Sequence, residues 1–194
     1  MTVAAGFADP VFDAQRTFRA VLEALARPGR CQQAGAGLVL PAGLDPATYA
    51  VALCLLDADT PAWLSPSLAR AGVAESLRFH CGCPIVEAQG AAAFALVAAP
   101  DAPPLAAFPA GDDRYPDRSA TLLWQLPALD GGAPLELTGP GIDGTTTIAP
   151  AGLPADFPAQ WAANHARYPR GVDVVLIAGD GLIGLPRSVA VREA

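Results

Sequence analysis

The stretch that decides the fold is GVDVVLIAGDGLIGLPRSVAV, residues 171–191. Its first half, GVDVVLIAG, is an unbroken apolar run rich in β-branched residues, the pattern of a strand buried on both faces. The dipeptide Asp180-Gly181 then marks a tight turn, and LIGLPRSVAV reads as the returning arm of a hairpin. Strands buried on both sides need covering layers, and the rest of the chain supplies them. DPVFDAQRTFRAVLEALARPG, residues 9–29, predicts a helix capped by Asp9, begun at Pro10 and stopped by Pro28-Gly29. Its apolar positions Val11, Phe18, Val21, Leu22 and Leu25 fall on one face, which is expected to be buried.

The same device recurs at Asp45-Pro46, with Tyr49, Leu53 and Leu56 on the expected inner side and Cys54 as a small core residue. AWLS, 62–65, reads as a short extended piece, and SPSLARAGVAESLRFHC, 65–81, as one or two short helices broken near Gly72. AAAFALVA, ATLLWQLPAL, PLELTGPG and TTTIAP read as short strands bounded by Gly, Pro or Asp, and DFPAQWAANHARYP returns to helix. Helices interspersed with strands predict a layered α/β/α domain with a mixed sheet, residues 1–194 forming one unit. APDAPPLAAFPAGDDRYPD, 99–117, is the one long loop candidate.

Composition excludes several functions. A net charge of −7 without a basic stripe argues against phosphate-driven binding to nucleic acid or to anionic membrane. The N-terminus lacks a signal-peptide pattern, and no run reaches the ~18 apolar residues of a membrane span, so a cytoplasmic protein with four reduced cysteines is expected. All 12 basic residues are arginine. A chain with no lysine forms no pyridoxal phosphate Schiff base and has no P-loop lysine, whereas arginine's planar fork remains well suited to phosphate, phosphonate and carboxylate.

LRFHCGCPIV, 77–86, gathers Arg78, His80, Cys81 and Cys83. A zinc site wants three or four converging ligands, and Cys31, Cys54 and His165 lie far off in sequence, so no metal is expected. A reactive thiol beside Arg78 remains open, and so does a plain turn through Gly82 and Pro84. Ser119, flanked by Asp117 and Arg118, is a serine nucleophile only if a histidine such as His80 approaches, and the G-x-S-x-G elbow does not occur. GAGLVL and GPGIDG lack the spacing of a phosphate cradle and read as turns. Arg187 follows a strand and is placed either for an anion or for a structural carboxylate. The residues alone therefore predict an α/β domain with several arginines and no complete catalytic set.

Six blocks in order carry a resemblance: GFADPVFDAQRTFRAVLEALARPG, DADTPAWLS, SLRFHCGCPIV, YPDRSATLLWQL, LTGPGI and YPRGVDVVLIAGDGLIGLPRS. Together they resemble the PhnH family, the H subunit of the bacterial carbon–phosphorus lyase core complex. Departures are small: Tyr168 stands where the family usually has phenylalanine, and Ser188 and Val189 where threonines are usual. The cysteines after LRFH lie outside the family's pattern. The resemblance implies a fold like that of pyridoxal phosphate-dependent transferases without the cofactor. It implies a non-autonomous subunit that works with partners G, I, J and L, MgATP entering as a substrate of the complex, and homodimerisation of the isolated chain. The reaction implied is formation of alpha-D-ribose 1-methylphosphonate 5-triphosphate from MgATP and methylphosphonate. It transfers no catalytic residue; Arg78, His80, Arg118, Ser119 and Arg187 stand as candidates for contact with phosphonate or nucleotide phosphate. The alternative from another class is a stand-alone transferase or hydrolase acting on a small phosphorylated substrate.

Overall fold

A computed structural model describes residues 4–194. The helix α1 (Pro10–Ala26) begins as its sequence requires: the Asp9 carboxylate accepts from the Phe12 amide at 3.2 Å, and Pro10 occupies the first turn. A two-residue strand β1 (Gln32–Gln33) follows, then α2 (Pro46–Leu55), β2 (Ala62–Leu64), α3 (Pro66–Arg70) and α4 (Val73–Cys81). Gly72, in the left-handed region at φ 78°, separates the last two helices. Beyond them lie β3 (Ile85–Val86), β4 (Phe94–Ala98), β5 (Thr121–Gln125), β6 (Ala128–Thr138) and β7 (Thr146–Ala151). The chain ends with α5 (Phe157–His165), β8 (Asp173–Ala178), β9 (Gly181–Leu185) and β10 (Ala190–Glu193).

Seven strands form one sheet in the order β1-β9-β8-β5-β4-β2-β3. The block from β8 to β3 is parallel, and β9 and β1 add antiparallel neighbours at one edge. The hairpin expected at Asp180-Gly181 is present, with Ala178 opposite Gly181 and Val174 opposite Leu185. Alternation puts Val174 and Leu176 of β8, Leu122 and Trp124 of β5, and Ala95 and Val97 of β4 into one hydrophobic cluster. Val175, Ile177, Leu123 and Leu96 point into the other. A strand set with apolar residues on both faces is thus covered twice, which is why the run at 174–177 carries no polar residue.

The two covers differ. On one face lie α1, α2, α3 and α4, contributing Val21, Ala24, Tyr49, Leu68 and Leu77. The other face holds α5, through Phe157 and Trp161, together with a second, antiparallel sheet ordered β10-β6-β7. The expected second helical layer is therefore one helix and three strands. β6 and β7 pair with each other, and Pro186 adds the third strand: it has no amide to donate, so the returning arm ends at Leu185, and the chain crosses to pair Ala190–Glu193 with β6 in the small sheet. Trp161 Nε1 donates to the Val189 carbonyl at 2.8 Å and fixes that crossing.

The phase of α1 also differs from expectation. Its buried residues are Thr17, Val21 and Ala24. Val11, Phe12, Phe18 and Leu22 are instead 74%, 59%, 51% and 56% exposed. The reason is close backbone approach. A Cβ placed on Gly184 of β9 would lie 2.6 Å from the Ala24 carbonyl oxygen, so the helix rests directly on the strand through its small residues. Large side chains on that side would lift it off. The long loop 99–117 is anchored by two short 3-10 turns, at Ala99–Asp101 and Leu105–Ala107, with Leu105 and Phe108 buried.

Candidate functional site

Three of the blocks singled out in the sequence meet at the N-terminal edge of the parallel strands. Asp173 opens β8, and Arg187 follows β9 across the hairpin. The Asp173 carboxylate receives Arg187 Nη2 at 2.5 Å, Nε at 3.1 Å and the Arg187 backbone amide at 2.7 Å. Arg187 Nη1 donates to the Pro116 carbonyl at 2.7 Å. The guanidinium fork is thus satisfied from both sides by the chain itself, with both side chains largely shielded from water. Of the two readings of Arg187, the structural ion pair is the one formed.

Behind this pair, Asn164 clasps the backbone of Val172, accepting its amide at 2.8 Å and donating to its carbonyl at 2.9 Å. Gly171, at φ 127°, passes so close that an added Cβ would sit 2.9 Å from Asn164 Oδ1. His165 Nδ1 lies 2.9 Å from the Arg187 carbonyl, which only accepts, so Nδ1 donates there, and Nε2 makes no hydrogen bond among the described residues. A cleft of about 310 Å³ opens here, lined by Pro116, Asp117, Tyr168, Pro169, Asp173, Pro186, Arg187 and Ser188. The Tyr168–Pro169 peptide is cis.

Arg118 lies beside this region. Its guanidinium stacks 4.1 Å from the centre of the Tyr115 ring and makes no ion pair among the described residues. The turn that presents it is built by Asp112, whose Oδ1 accepts from the amides of Arg114 at 2.8 Å and Tyr115 at 2.7 Å. Ser119 is half-buried next to it, and its backbone bridges Ala110.

Arg78 and His80 are elsewhere, near the C-terminal end of α4 on the helical face of the large sheet. Both are exposed. His80 Nε2 donates to the Ala4 carbonyl at 2.8 Å, and its ring meets Phe79 and Tyr49 edge to face. A Cβ on Gly6 would come within 3.0 Å of His80 Nδ1, so the imidazole holds the segment entering α1. No hydrogen bond or ion pair joins Arg78 or His80 to Arg118, Ser119 or Arg187 among the described residues. The cleft at Arg187 is lined by neither Arg78 nor His80.

The sulfur atoms face other ways. Cys83 is buried in the helical-side core, and Cys81 donates weakly to the Ala52 carbonyl at 3.6 Å. The neighbouring Cys83 thiol first, with burial second, pushes Cys81 above the usual thiol range. Cys81 in turn pulls Cys83 down, against burial, with Arg78 helping through its charge. Among the described residues no three His, Cys, Asp or Glu side chains are grouped to hold a metal ion.

A larger cavity that the sequence did not flag, about 450 Å³, lies near the C-terminal end of β8. The segment 5–8, the first turns of α1, the loop 33–39 and Asp180 enclose it. Ligands of α/β sheets favour that edge. Its charged lining is Asp13, Arg16 and Asp180, with Arg16 already bonded to Asp13, so the balance is unfavourable for a polyphosphate. Next to it the edge is closed by the chain: the Gln125 amide accepts from the Asp45 amide and donates to the Gly43 carbonyl, both at 2.9 Å.

Fold and sites together define a layered α/β protein whose most densely hydrogen-bonded polar centre, at Asp173 and Arg187, holds backbone in place. The family model described as bacterial phosphonate metabolism protein (PhnH) matches residues 5–192, and the chain belongs to that family. A relative from Rhizobium meliloti (strain 1021), alpha-D-ribose 1-methylphosphonate 5-triphosphate synthase subunit PhnH, is 43% identical over 188 residues, 96% of this chain and 94% of that protein. A putative C-P lyase subunit protein, HtxG, of Stutzerimonas stutzeri is 29% identical over 82 residues, 42% of each chain.

Proposed function

We propose that this chain is the H subunit of a ribose 1-methylphosphonate 5-triphosphate synthase, required with partner subunits when methylphosphonate displaces adenine from MgATP. The observation that carries this reading is the 43% identity over 96% of the chain to a protein described as that subunit. The geometry supports a dependent role. Arg187 and Asp173 neutralise each other, and His165 spends one ring nitrogen on a backbone carbonyl. The partners are the G, I, J and L subunits, the isolated chain pairs with a second copy, and the setting is the cytoplasm. The fold is that of the pyridoxal phosphate-dependent transferases, working without a resident cofactor. A chain with no lysine does not fit pyridoxal phosphate. MgATP enters as a substrate of the complex.

Any direct contact with phosphonate or nucleotide phosphate falls first to Arg118, which makes no ion pair among the described residues and adjoins the Arg187 cleft at Asp117, with Ser119 beside it. Arg78 and His80 form a second, separate candidate group, and Arg187 contributes by holding the cleft. The test is co-expression with the G and I subunits, purification through a tag on I, and adenine release from MgATP plus methylphosphonate. Release that requires this chain supports the reading. Turnover by this chain alone would establish the stand-alone transferase or hydrolase instead, and no association would end the subunit reading.

A further inference from the structure

Val11, Phe18 and Leu22 recur along α1 at spacings of seven and four, one seam over three helical turns, with Phe12 adjacent. All four side chains are more than half exposed. Single exposed apolar residues are ordinary, but four large ones on a 17-residue helix form a contiguous patch of the kind that marks an interaction site. Among the described residues no other element buries them, and the opposite side of the helix rests on β9 through Val21 and Ala24.

Charge around the patch is unlike that of the rest of the chain. Residues 9–33 carry Arg16, Arg19, Arg27 and Arg30 against Asp9, Asp13 and Glu23. The remaining residues carry eight arginines against sixteen carboxylates. The three local carboxylates are already engaged, Asp9 with the Phe12 amide, Asp13 with Arg16 and Glu23 with Arg27 at 3.0 Å. Arg19 and Arg30 are left exposed and without an ion pair among the described residues.

From this we infer that the exposed seam of α1 docks another subunit of the synthase, one that offers an apolar groove rimmed by carboxylates. The inference rests on the subunit reading above and adds where the partner binds and what it must present. A second copy of this chain is the poorer occupant. A copy's α1 surface brings the same two unpaired arginines, Arg19 and Arg30, and only the capping Asp9, already bonded to the Phe12 amide, to meet them. Aromatic and arginine side chains side by side, as at Phe18 and Arg19, are the residue types that dominate interface energetics.

The experiment uses the full chain co-expressed with the G and J subunits and a tagged I subunit from the same genome. It reads the amount of this chain retained per tagged subunit. The double variant Phe18→Glu/Leu22→Glu is expected to lower retention at least tenfold, and Arg19→Glu severalfold. Arg167→Glu, on an exposed residue beyond α5, is expected to leave it at the wild-type level. Retention of the wild type is expected to fall as salt is raised from about 50 to 500 mM, over which screening shortens the reach of the rim charges. Melting temperatures are measured for each variant. If the double variant does not fold, the milder Phe18→Ser decides by the same readout. Undiminished retention of a folded variant overturns the inference and leaves the subunit reading intact. A wild-type chain that never co-purifies removes the subunit reading, and the docking site with it. A wild-type dimer dissolved by Phe18→Glu/Leu22→Glu, with retention in the complex unchanged, assigns the seam to a second copy and overturns it as well.

Discussion

The β8–β9 hairpin and helix α1 lie against each other, and both sequences carry large apolar side chains. In the hairpin every side chain from Val174 to Ile177 is buried, half of them in each hydrophobic cluster. In α1 the largest apolar side chains face water, while a threonine, a valine and an alanine make the contact. The difference teaches that apolar content locates an element more securely than it orients one. A central strand has two buried faces, so no choice of phase exists. A surface helix has one face for the core, and here that face was selected by closeness of approach to Gly184.

The contrast predicts unequal costs, and chemical denaturation measures them. Truncating Leu176→Ala in β8 is expected to cost about 2–5 kcal/mol, because a fully buried side chain leaves a cavity between two packed layers. Asp173→Ala is next, at roughly 3 kcal/mol, since it strands the shielded Arg187 guanidinium and the Arg187 amide. A cost near zero for either change would mean that the hairpin is not the fold's centre. Gly184→Ala is expected to cost about 1–3 kcal/mol by overpacking, because its Cβ meets the Ala24 carbonyl. If that variant is as stable as wild type, close approach is not what sets the phase of α1.

Asp45 sharpens the comparison at the other end of the hairpin. Its carboxylate accepts from the Gly179 amide at 3.1 Å and so ties α2 to the turn. Burial pushes its pKa above the ordinary aspartate value of 3.8, with the Gly179 bond opposing. In the window just above that value the folded state binds more protons than the unfolded one, so this group's contribution to stability falls as pH rises through it. Asp45→Asn is expected to remove that slope while keeping an acceptor for Gly179, read from denaturation midpoints at successive pH values. An unchanged slope would assign it to another group. The smallest effect belongs to Phe18→Ser on the exposed seam, within about 0.5 kcal/mol of wild type for the isolated chain. A large loss there would show that the seam is buried after all.

Much of the fold was legible because local rules were obeyed. Asp9-Pro10 starts a helix, Gly72 breaks one, and Asp180-Gly181 turns a hairpin. The crossing at Pro186 was less legible: the proline is plain in LPRSV, but only pairing with β6 shows that the arm belongs to two sheets. The candidate site was legible in pieces. Arg187, Arg118 and Ser119 come from blocks that do lie near one another. Asp173, the carboxylate that holds Arg187, gives no local signal, because it is a single acid at the head of an apolar strand. The separation of Arg78 and His80 from that group follows from α4 packing on the opposite side of the sheet.

By itself, the sequence determined the element types, the doubly buried strands, the absence of lysine chemistry and, through six ordered blocks, the family. These depend on residue type and spacing within a few positions, or on order along the chain. Tertiary structure alone decided which face of α1 is free, that Arg187 spends its charge on Asp173, and that the sulfur of Cys83 points inward. Each of those is a contact between residues distant in sequence or on different elements, chosen by which packing excludes most water at least steric cost.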